Sequence, residues 1–166
     1  MTSETHNHEL NEHEQGNHDH KHCKQKAMQT AEQLCQQRGV KFTPLRRQVL
    51  TLVWESHRAV KAYDLLQKLN PAGSAAKPTT VYRALDFLLE QGLIHKVESL
   101  NAFIGCSYSE REHEQLLLTC VVCQEVEERP GEAVMQAMHR ELEQADFLMR
   151  RQAIEIHGIC RRCHTG

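Results

Sequence analysis

The sequence of 166 residues has few aromatic side chains and no long apolar run. Aromatic residues make up 5% of the chain, whereas hydrophobic residues of all kinds make up 40%, so any core must be mostly aliphatic. No apolar stretch approaches the ~18 residues that a membrane span requires, and the polar N-terminus does not resemble a signal peptide. We therefore expect a cytoplasmic protein without a membrane partner.

Cysteine and histidine are frequent by contrast, with seven and twelve copies. In the cytoplasm, cysteines at this frequency favour metal binding or redox chemistry over a disulfide framework. A chain of this length forms one domain or two small ones, and domains below about 80 residues often need a metal ion or a disulfide for stability. Two domains would therefore favour a structural metal ion.

The net charge of −2 conceals three segments of different sign. Residues 1–23 carry −4, residues 24–99 carry +6 and residues 100–166 carry −4. A basic segment within an acidic chain favours a polyanion-binding module beside a module with another role, although chance scatter of surface charge is the alternative. Residues 1–23 contain six histidines and few apolar residues, which predicts a mobile tail that either binds metal weakly or is simply solvated.

Apolar residues at spacings of three and four predict four helices. The first spans 24–38, the second begins at Thr43-Pro44, the third covers about 61–69, and the fourth begins at Thr79-Thr80 and runs to Gln91. The last two helices are expected to bury Tyr63, Leu65, Leu66, Leu69, Val81, Ala84, Leu85, Leu88 and Leu89.

After Gly92 the apolar residues no longer recur at spacings of three and four. Residues 93–97 and 102–104 instead predict a two-stranded hairpin. Helices followed by a hairpin indicate a winged helix-turn-helix domain, which we place at 24–105. Its fourth helix would enter the DNA major groove, where an arginine can read guanine and lysines can contact phosphates. A solvated surface arginine is the alternative for Arg83 taken alone. The predicted DNA-binding residues are Lys77, Thr79, Thr80, Tyr82, Arg83 and Lys96.

The rest of the chain, 106–166, predicts a small α/β module. A hairpin is expected over 116–127, a helix over 131–146 and a further strand with Ile154 and Ile156 on one face. The module has too little apolar surface for a lone monomer, so we expect it to dimerise. The fold class is therefore α+β, with a winged-helix domain followed by a dimerisation domain.

Two CxxC pairs lie in this second module. Two thiolates three residues apart can reach one ion, and two such pairs complete a tetrahedral structural zinc site. A redox dithiol is the rival interpretation, but two pairs in one small module favour zinc. The predicted structural zinc ligands are Cys120, Cys123, Cys160 and Cys163.

Other metal-ligand residue types lie near the junction of the modules, but their spacing alone does not identify a site. His95 could contact phosphate, Cys106 could be a small core residue, and Glu128 could be solvated. An enzyme is not expected, because the sequence has no HExxH and no glycine-rich phosphate loop, and we expect no small-molecule substrate. The His-rich tail leaves a zinc-storage protein as a further alternative.

The run KPTTVYRALDFLLEQGLIHKVES, followed by CxxC and HGICRRC, resembles the ferric uptake regulator family, and within it the zinc-sensing branch of zinc uptake regulators. The resemblance covers residues 24–166. It implies a homodimer that binds double-stranded operator DNA and, when loaded with zinc, represses zinc uptake genes. It also implies two zinc ions per chain, one held by the four cysteines and a regulatory one held by His95, Cys106, His113 and Glu128.

An iron- or peroxide-responsive regulator of the same family is the alternative. Those relatives usually carry a cluster of His and Asp immediately before the first CxxC. Residues 114–119 of this chain read EQLLLT instead, with His113 the sole histidine just before them. This departure argues against the iron interpretation.

Overall fold

The computed structural model describes residues 20–55, 58–70, 77–109, 115–148 and 153–165. His113 and nearly all of the predicted tail lie outside these ranges. The fold is α+β, as predicted, and consists of a helical module, a β-hairpin and a second module built on a sheet. Within the described ranges, no helix has the length and apolar character needed to cross a membrane.

Four helices form the first module: α1 spans His20–Gln37, α2 Pro44–Val53, α3 Ala62–Leu69 and α4 Pro78–Glu90. The first begins at His20 instead of residue 24, so the end of the predicted tail is helical. The fourth begins at Pro78 instead of Thr79-Thr80, with Lys77 as the N-cap. Proline suits the first helical position because its fixed φ is already helical and its missing N–H would have no partner there.

The core of the first module is aliphatic, as its composition predicts, and it includes two residues that periodicity missed. Leu50 and Phe87 are buried, and the Arg46 guanidinium lies 3.5 Å from the centre of the Phe87 ring. The prediction that Tyr63 is buried was wrong, because its side chain is 66% exposed. Tyr63 and the buried Leu65 are two residues apart on α3, so they point to opposite sides of the helix.

The predicted hairpin is confirmed, with β1 at Ile94–Val97 and β2 at Ala102–Gly105 paired antiparallel. A 3-10 turn, Glu98–Leu100, joins the two strands. Side chains alternate across the hairpin. Ile94 and Phe103 belong to the core of the first module, whereas Val97 and Ile104 pack with Leu117 and Val126 of the second module. We call this hairpin, residues 94–105, the wing; it is the middle layer between the two modules.

The second module is a three-stranded sheet of order β4-β3-β5, with β3 at Gln115–Cys120, β4 at Val126–Pro130 and β5 at Ala153–Gly158. Strand β3 pairs antiparallel with β4 and parallel with β5. Helix α5, Glu132–Gln144, lies between β4 and β5 in the chain, and the short α6 spans Arg161–His164. These elements agree with the predicted hairpin, helix and strand. The apolar spacing that predicts this helix includes Val134, whose side chain is 45% exposed.

The register of this sheet determines which residues face the wing. Leu117 is the register partner of both Glu128 and Glu155, so these three side chains share one face. Leu117 is fully buried against the wing, which identifies this face as the one that the wing covers. The opposite face carries Ile154 and Ile156, which share a side as predicted.

The wing is fixed to the first module by a close contact between Gly105 and Trp54. A Cβ atom at Gly105 would lie 2.2 Å from Cε2 of Trp54, so the indole ring lies directly against the glycine backbone. The Trp54 Nε1 is buried without a hydrogen-bond partner among the described residues, and packing therefore holds the ring. This contact fixes the end of β2 immediately before Cys106.

We expect Gly105→Ala to destabilise the protein by about 1–3 kcal/mol, because Trp54 or β2 must move to admit the new methyl group. Urea unfolding followed by the fluorescence of the single Trp measures the change. Gly158→Ala is the matched control, because nothing lies within 4 Å of a Cβ at that position. Equal unfolding midpoints for the two variants would contradict the packing account.

Candidate metal centres and nucleic-acid interface

The four cysteines of the two CxxC pairs converge at one end of the sheet, where their sulfur atoms all lie within 4.8 Å of one another. The Sγ atoms of Cys123 and Cys160 are 3.8 Å apart. A tetrahedral metal with metal–sulfur bonds of about 2.3 Å requires sulfur–sulfur separations of about 3.8 Å, whereas a disulfide bond is about 2.05 Å long. The cluster therefore fits a tetrahedral zinc-type ion and contains no disulfide.

Strand pairing explains why residues forty positions apart in the sequence meet here. Cys120 ends β3, and the turn that follows it, with Gln124 in a left-handed conformation at φ +59°, places Cys123 beside it. Strand β5 runs parallel to β3 and pairs Gly158 with Cys120. Cys160 follows two residues later and caps α6, so the second pair reaches the same end of the sheet.

Hydrogen bonds prepare this cluster for ionisation. Backbone N–H groups of Cys123 and Cys160 lower the pKa of Cys120 to about 6, and the Cys160 N–H lies 3.3 Å from the Cys120 sulfur. The hydrogen bond with Cys160 is the main cause that raises the pKa of Cys163 to about 12. The Cys120 thiolate thus forms readily, whereas Cys163 needs the positive charge of a metal ion to lose its proton.

A second cluster joins the wing to the sheet. His95 lies on β1, Cys106 directly follows β2, and Glu128 lies on β4, with their ligand atoms within 4.8 Å of one another. His95 Nε2 is 2.7 Å and Cys106 Sγ is 3.7 Å from the same Glu128 oxygen. The Ser107 N–H donates to the other carboxylate oxygen at 2.7 Å, which orients the carboxylate.

Burial makes this second cluster suited to a divalent cation. The side chains of His95 and Glu128 are 5% and 3% exposed, and Cys106 is 3% exposed. Burial raises the pKa of the Cys106 thiol, and the charge of Glu128 raises it further. A bound divalent cation would favour the thiolate, and one thiolate with one carboxylate would balance its two charges. Nitrogen, sulfur and oxygen ligands of these types are those that zinc takes.

The structure thus brings together three of the four residues named for a regulatory site, and His113 lies outside the described residues. Spacing alone did not reveal the cluster, because its members lie on β1, just after β2 and on β4, far apart in the sequence. Sequence reasoning also missed the Ser107 N–H and Glu155, which contacts the wing from β5. A backbone donor leaves no mark in residue type, so no sequence signal could have identified the Ser107 contact.

The N-terminal part of α4 forms an exposed polar surface. Val81, Ala84 and Leu85 face the core, while Tyr82, 55% exposed, and Arg83 point to solvent. Five of the six predicted DNA-binding residues share this exposed stretch, namely Lys77, Thr79, Thr80, Tyr82 and Arg83. The sixth, Lys96, lies on the wing, half-buried, and its Nζ pairs with Glu98 at 2.7 Å.

The fold and the two clusters define a winged-helix protein that carries two sets of metal-ligating side chains. The sequence model of the Ferric uptake regulator family matches residues 37–163. The chain therefore belongs to the ferric uptake regulator family. It is 44% identical over 140 residues to the zinc uptake regulation protein of Escherichia coli K12, an alignment that covers 84% of this chain and 82% of the relative.

Solved structures agree with this assignment. The chain is similar to a structure described as a zinc uptake regulator complexed with zinc and DNA, with a TM-score of 0.80, 43% identity and coverage of 86% of this chain and 95% of the other. It is also similar to holo XcZur, with a TM-score of 0.78, 34% identity and coverage of 85% and 99%. The apo form of XcZur matches at a TM-score of 0.50 and 34% identity, with coverage of 86% of this chain and 99% of the other.

We expect Cys123→Ser to lower the amount of tightly bound metal and to lower the melting temperature, because three thiolates cannot close the tetrahedron. Elemental analysis and thermal unfolding measure the two effects. Cys23→Ser is the control, since Cys23 is half-buried on α1 and belongs to neither cluster. Full metal content with an unchanged melting curve for Cys123→Ser would refute the assignment of a structural metal site.

Proposed function

We propose that the chain is a zinc-responsive transcriptional repressor that binds operator DNA as a zinc-loaded homodimer and controls genes for zinc uptake. The observation that carries this proposal is the buried cluster of His95, Cys106 and Glu128, because its ligands come from both the wing and the sheet. The names of the E. coli relative and of the zinc- and DNA-bound structure support it. The protein acts on DNA in the cytoplasm and is not an enzyme.

Each chain holds two zinc ions in this proposal. Cys120, Cys123, Cys160 and Cys163 hold a structural ion, and His95, Cys106, His113 and Glu128 hold a regulatory ion. Four thiolates bind zinc more tightly than a set of mixed ligands, so the mixed site is the one that responds to zinc supply. Four protein ligands at each ion leave no open position for a reactive water, which is why we propose no hydrolytic activity.

The regulatory ion acts by fixing the wing on the sheet. The wing belongs to the DNA-binding module, which we place at 24–105, and Glu128 belongs to the dimerisation module at 106–166. An ion bound to both sets the separation of the two α4 helices in a dimer. These helices must match half-sites about 34–36 Å apart or a multiple of that distance. By linkage, DNA tightens zinc binding by the same factor as zinc tightens DNA binding, typically 1–3 kcal/mol of coupling.

The arrangement of the modules supports this mechanism. The two forms of XcZur have the same identity to this chain, yet the chain matches the holo form at a TM-score of 0.78 and the apo form at 0.50. Similarity of sequence cannot account for this difference, so it reflects the conformation of the relative. The described arrangement, with His95 and Cys106 against Glu128, therefore corresponds to the DNA-competent state in our proposal.

A homodimer is supported by the sheet face opposite the wing. This face carries Leu116, Leu118, Ile154 and Ile156, of which Ile156 is 45% exposed and the others are half-buried. The β4 part of this face carries Glu127 and Arg129, so its apolar patch is confined to β3 and β5. An apolar patch left open to water favours association with another surface. A second copy of the same face would cover it and would supply the burial that this small module lacks.

DNA recognition is proposed for the exposed start of α4. Tyr82 and Arg83 would reach base edges in the major groove, and Arg83 can donate two hydrogen bonds to one guanine. Thr79, Thr80 and Lys77 lie where the helix would meet the phosphate backbone. Lys96 would reach a phosphate from the wing by exchanging its ion pair with Glu98, an exchange that costs little because both side chains are partly exposed.

We expect Cys106→Ser to abolish zinc-dependent operator binding while leaving a folded dimer, because it removes a regulatory ligand and leaves the four structural cysteines intact. A gel-shift titration with zinc, with Fe(II) in a parallel series, measures the response. Cys23→Ser should behave as the parent chain does. Unchanged zinc-dependent binding by Cys106→Ser would contradict the regulatory site, and a stronger response to Fe(II) than to zinc in the parent chain would favour an iron sensor.

We expect Arg83→Ala to weaken binding to operator DNA by about 1–3 kcal/mol and to weaken binding to unrelated DNA much less, since the residue would read a base. Fluorescence anisotropy at one fixed salt concentration compares the two affinities. Lys24→Ala is the control, because it removes one positive charge from α1. Equal losses on both DNAs would show that Arg83 contacts only the backbone or no DNA at all.

A further inference from the structure

The tip of the wing is bound by a carboxylate of the second module. Glu155, on β5, accepts hydrogen bonds from the backbone N–H groups of Glu98 and Ser99 in the 3-10 turn. The Ser99 N–H lies 3.2 Å from a Glu155 oxygen, and the Glu155 side chain is 16% exposed. The closed end of the hairpin is therefore attached to the sheet.

Glu155 and Glu128 hold opposite ends of the wing. Both are register partners of Leu117, on β5 and β4 respectively, and both point to the wing face of the sheet. Glu128 contacts the open end of the hairpin through His95 and Cys106, while Glu155 contacts its tip. The apolar contact between Leu117 and the wing lies between these two carboxylates.

The contact at the tip is made by hydrogen bonds to a carboxylate and uses none of the metal-ligating side chains. Burial opposes ionisation of Glu155, but hydrogen bonds from Ser99 and Glu98, together with the nearby His157, outweigh it and lower the pKa of the carboxyl. The His157 Nε2 is 3.9 Å from a Glu155 oxygen. The carboxylate is thus charged at neutral pH, and hydrogen bonds to a charged acceptor are stronger than those to a neutral one.

We propose that Glu155 is a positioning residue for the regulatory zinc site: it holds the tip of the wing on the sheet and so favours the arrangement in which His95 and Cys106 lie within reach of Glu128. This inference rests on the proposed function and adds a residue that is not itself a ligand. Its physical basis is preorganisation, because ligands held in place lose less conformational freedom when the ion binds.

The effect should be selective for one of the two metal sites. The regulatory cluster takes ligands from both the wing and the sheet, so its affinity depends on where the wing lies. The four cysteines all belong to the ends of β3 and β5 and the segments that follow them. A loose wing would therefore weaken the regulatory site and leave the structural site unchanged.

We expect Glu155→Ala in the full chain to weaken zinc binding at the regulatory site on the order of ten-fold, with the structural zinc retained. Titration with zinc against a competing chelator measures both affinities. Operator binding should then require on the order of ten-fold more free zinc, because DNA affinity follows occupancy of that site. Glu143→Ala, which removes an exposed carboxylate of α5, is the control and should match the parent chain in both measurements.

Glu155→Gln and Glu155→Asp keep the test decisive if the alanine variant does not fold. The glutamine amide has no charge and only one oxygen to accept from the two N–H donors. The regulatory zinc affinity of Glu155→Gln should therefore fall between that of Glu155→Ala and that of the parent chain. Aspartate keeps the charge and should lie closer to the parent than glutamine does. Among the folded variants, the regulatory zinc affinity should fall in the order parent, Glu155→Asp, Glu155→Gln, Glu155→Ala. A different order would overturn the inference.

Two further outcomes would also overturn it: regulatory zinc affinity within two-fold of the parent in folded Glu155→Ala, or an equal fall at both zinc sites, which would indicate a merely structural role. Failure of the proposed function is distinguishable. In that case the unmodified chain itself would show no zinc-dependent operator binding, whatever residue stands at position 155.

Discussion

The carboxylate of Glu128 is the group on which the functional arrangement depends. It is buried, and the imidazole of His95, the thiol of Cys106 and the amide of Ser107 all converge on its two oxygens. A buried negative charge is costly unless it is paired, and here its neighbours are side chains that can share a cation with it. Because His95 and Glu128 come from different modules, an ion placed here would change the relation between those modules as well as the local charge.

In the proposed mechanism the wing would transmit the binding of this ion, because the wing is packed on both faces. Its inner face belongs to the helical core, where Gly105 lies against Trp54, and its outer face packs on Leu117 of the sheet. A hairpin fixed so closely to the helices cannot move without moving α4 as well. Contacts of Glu128 with the open end of the wing and of Glu155 with its tip would therefore also set the position of α4, the surface proposed to bind DNA.

Local signals in the sequence predicted much of this structure. Proline and glycine positions and apolar spacing gave the helices and the hairpin, and the paired CxxC motifs gave the cysteine cluster, because each signal acts over a few residues. Tyr63 was misplaced because an eight-residue helix defines its buried face poorly. The cluster of His95, Cys106 and Glu128 was predicted only from family resemblance. It forms because the register of β3 with β4 brings Glu128 to the wing, and the register of β3 with β5 brings Glu155 there in the same way. Register depends on the whole fold, so spacing along the chain cannot reveal it.

The central claim is that zinc joins the wing to the sheet, and amide hydrogen exchange tests it most directly. Exchange would be compared between protein with one zinc ion per chain and protein with two, in the absence of DNA. The account predicts that the second ion slows exchange in peptides that cover residues 93–107 and 117–128, while α1 and α2 are unchanged. Equal exchange in the wing at both zinc contents would contradict it, because the regulatory ion would then bind without fixing the wing.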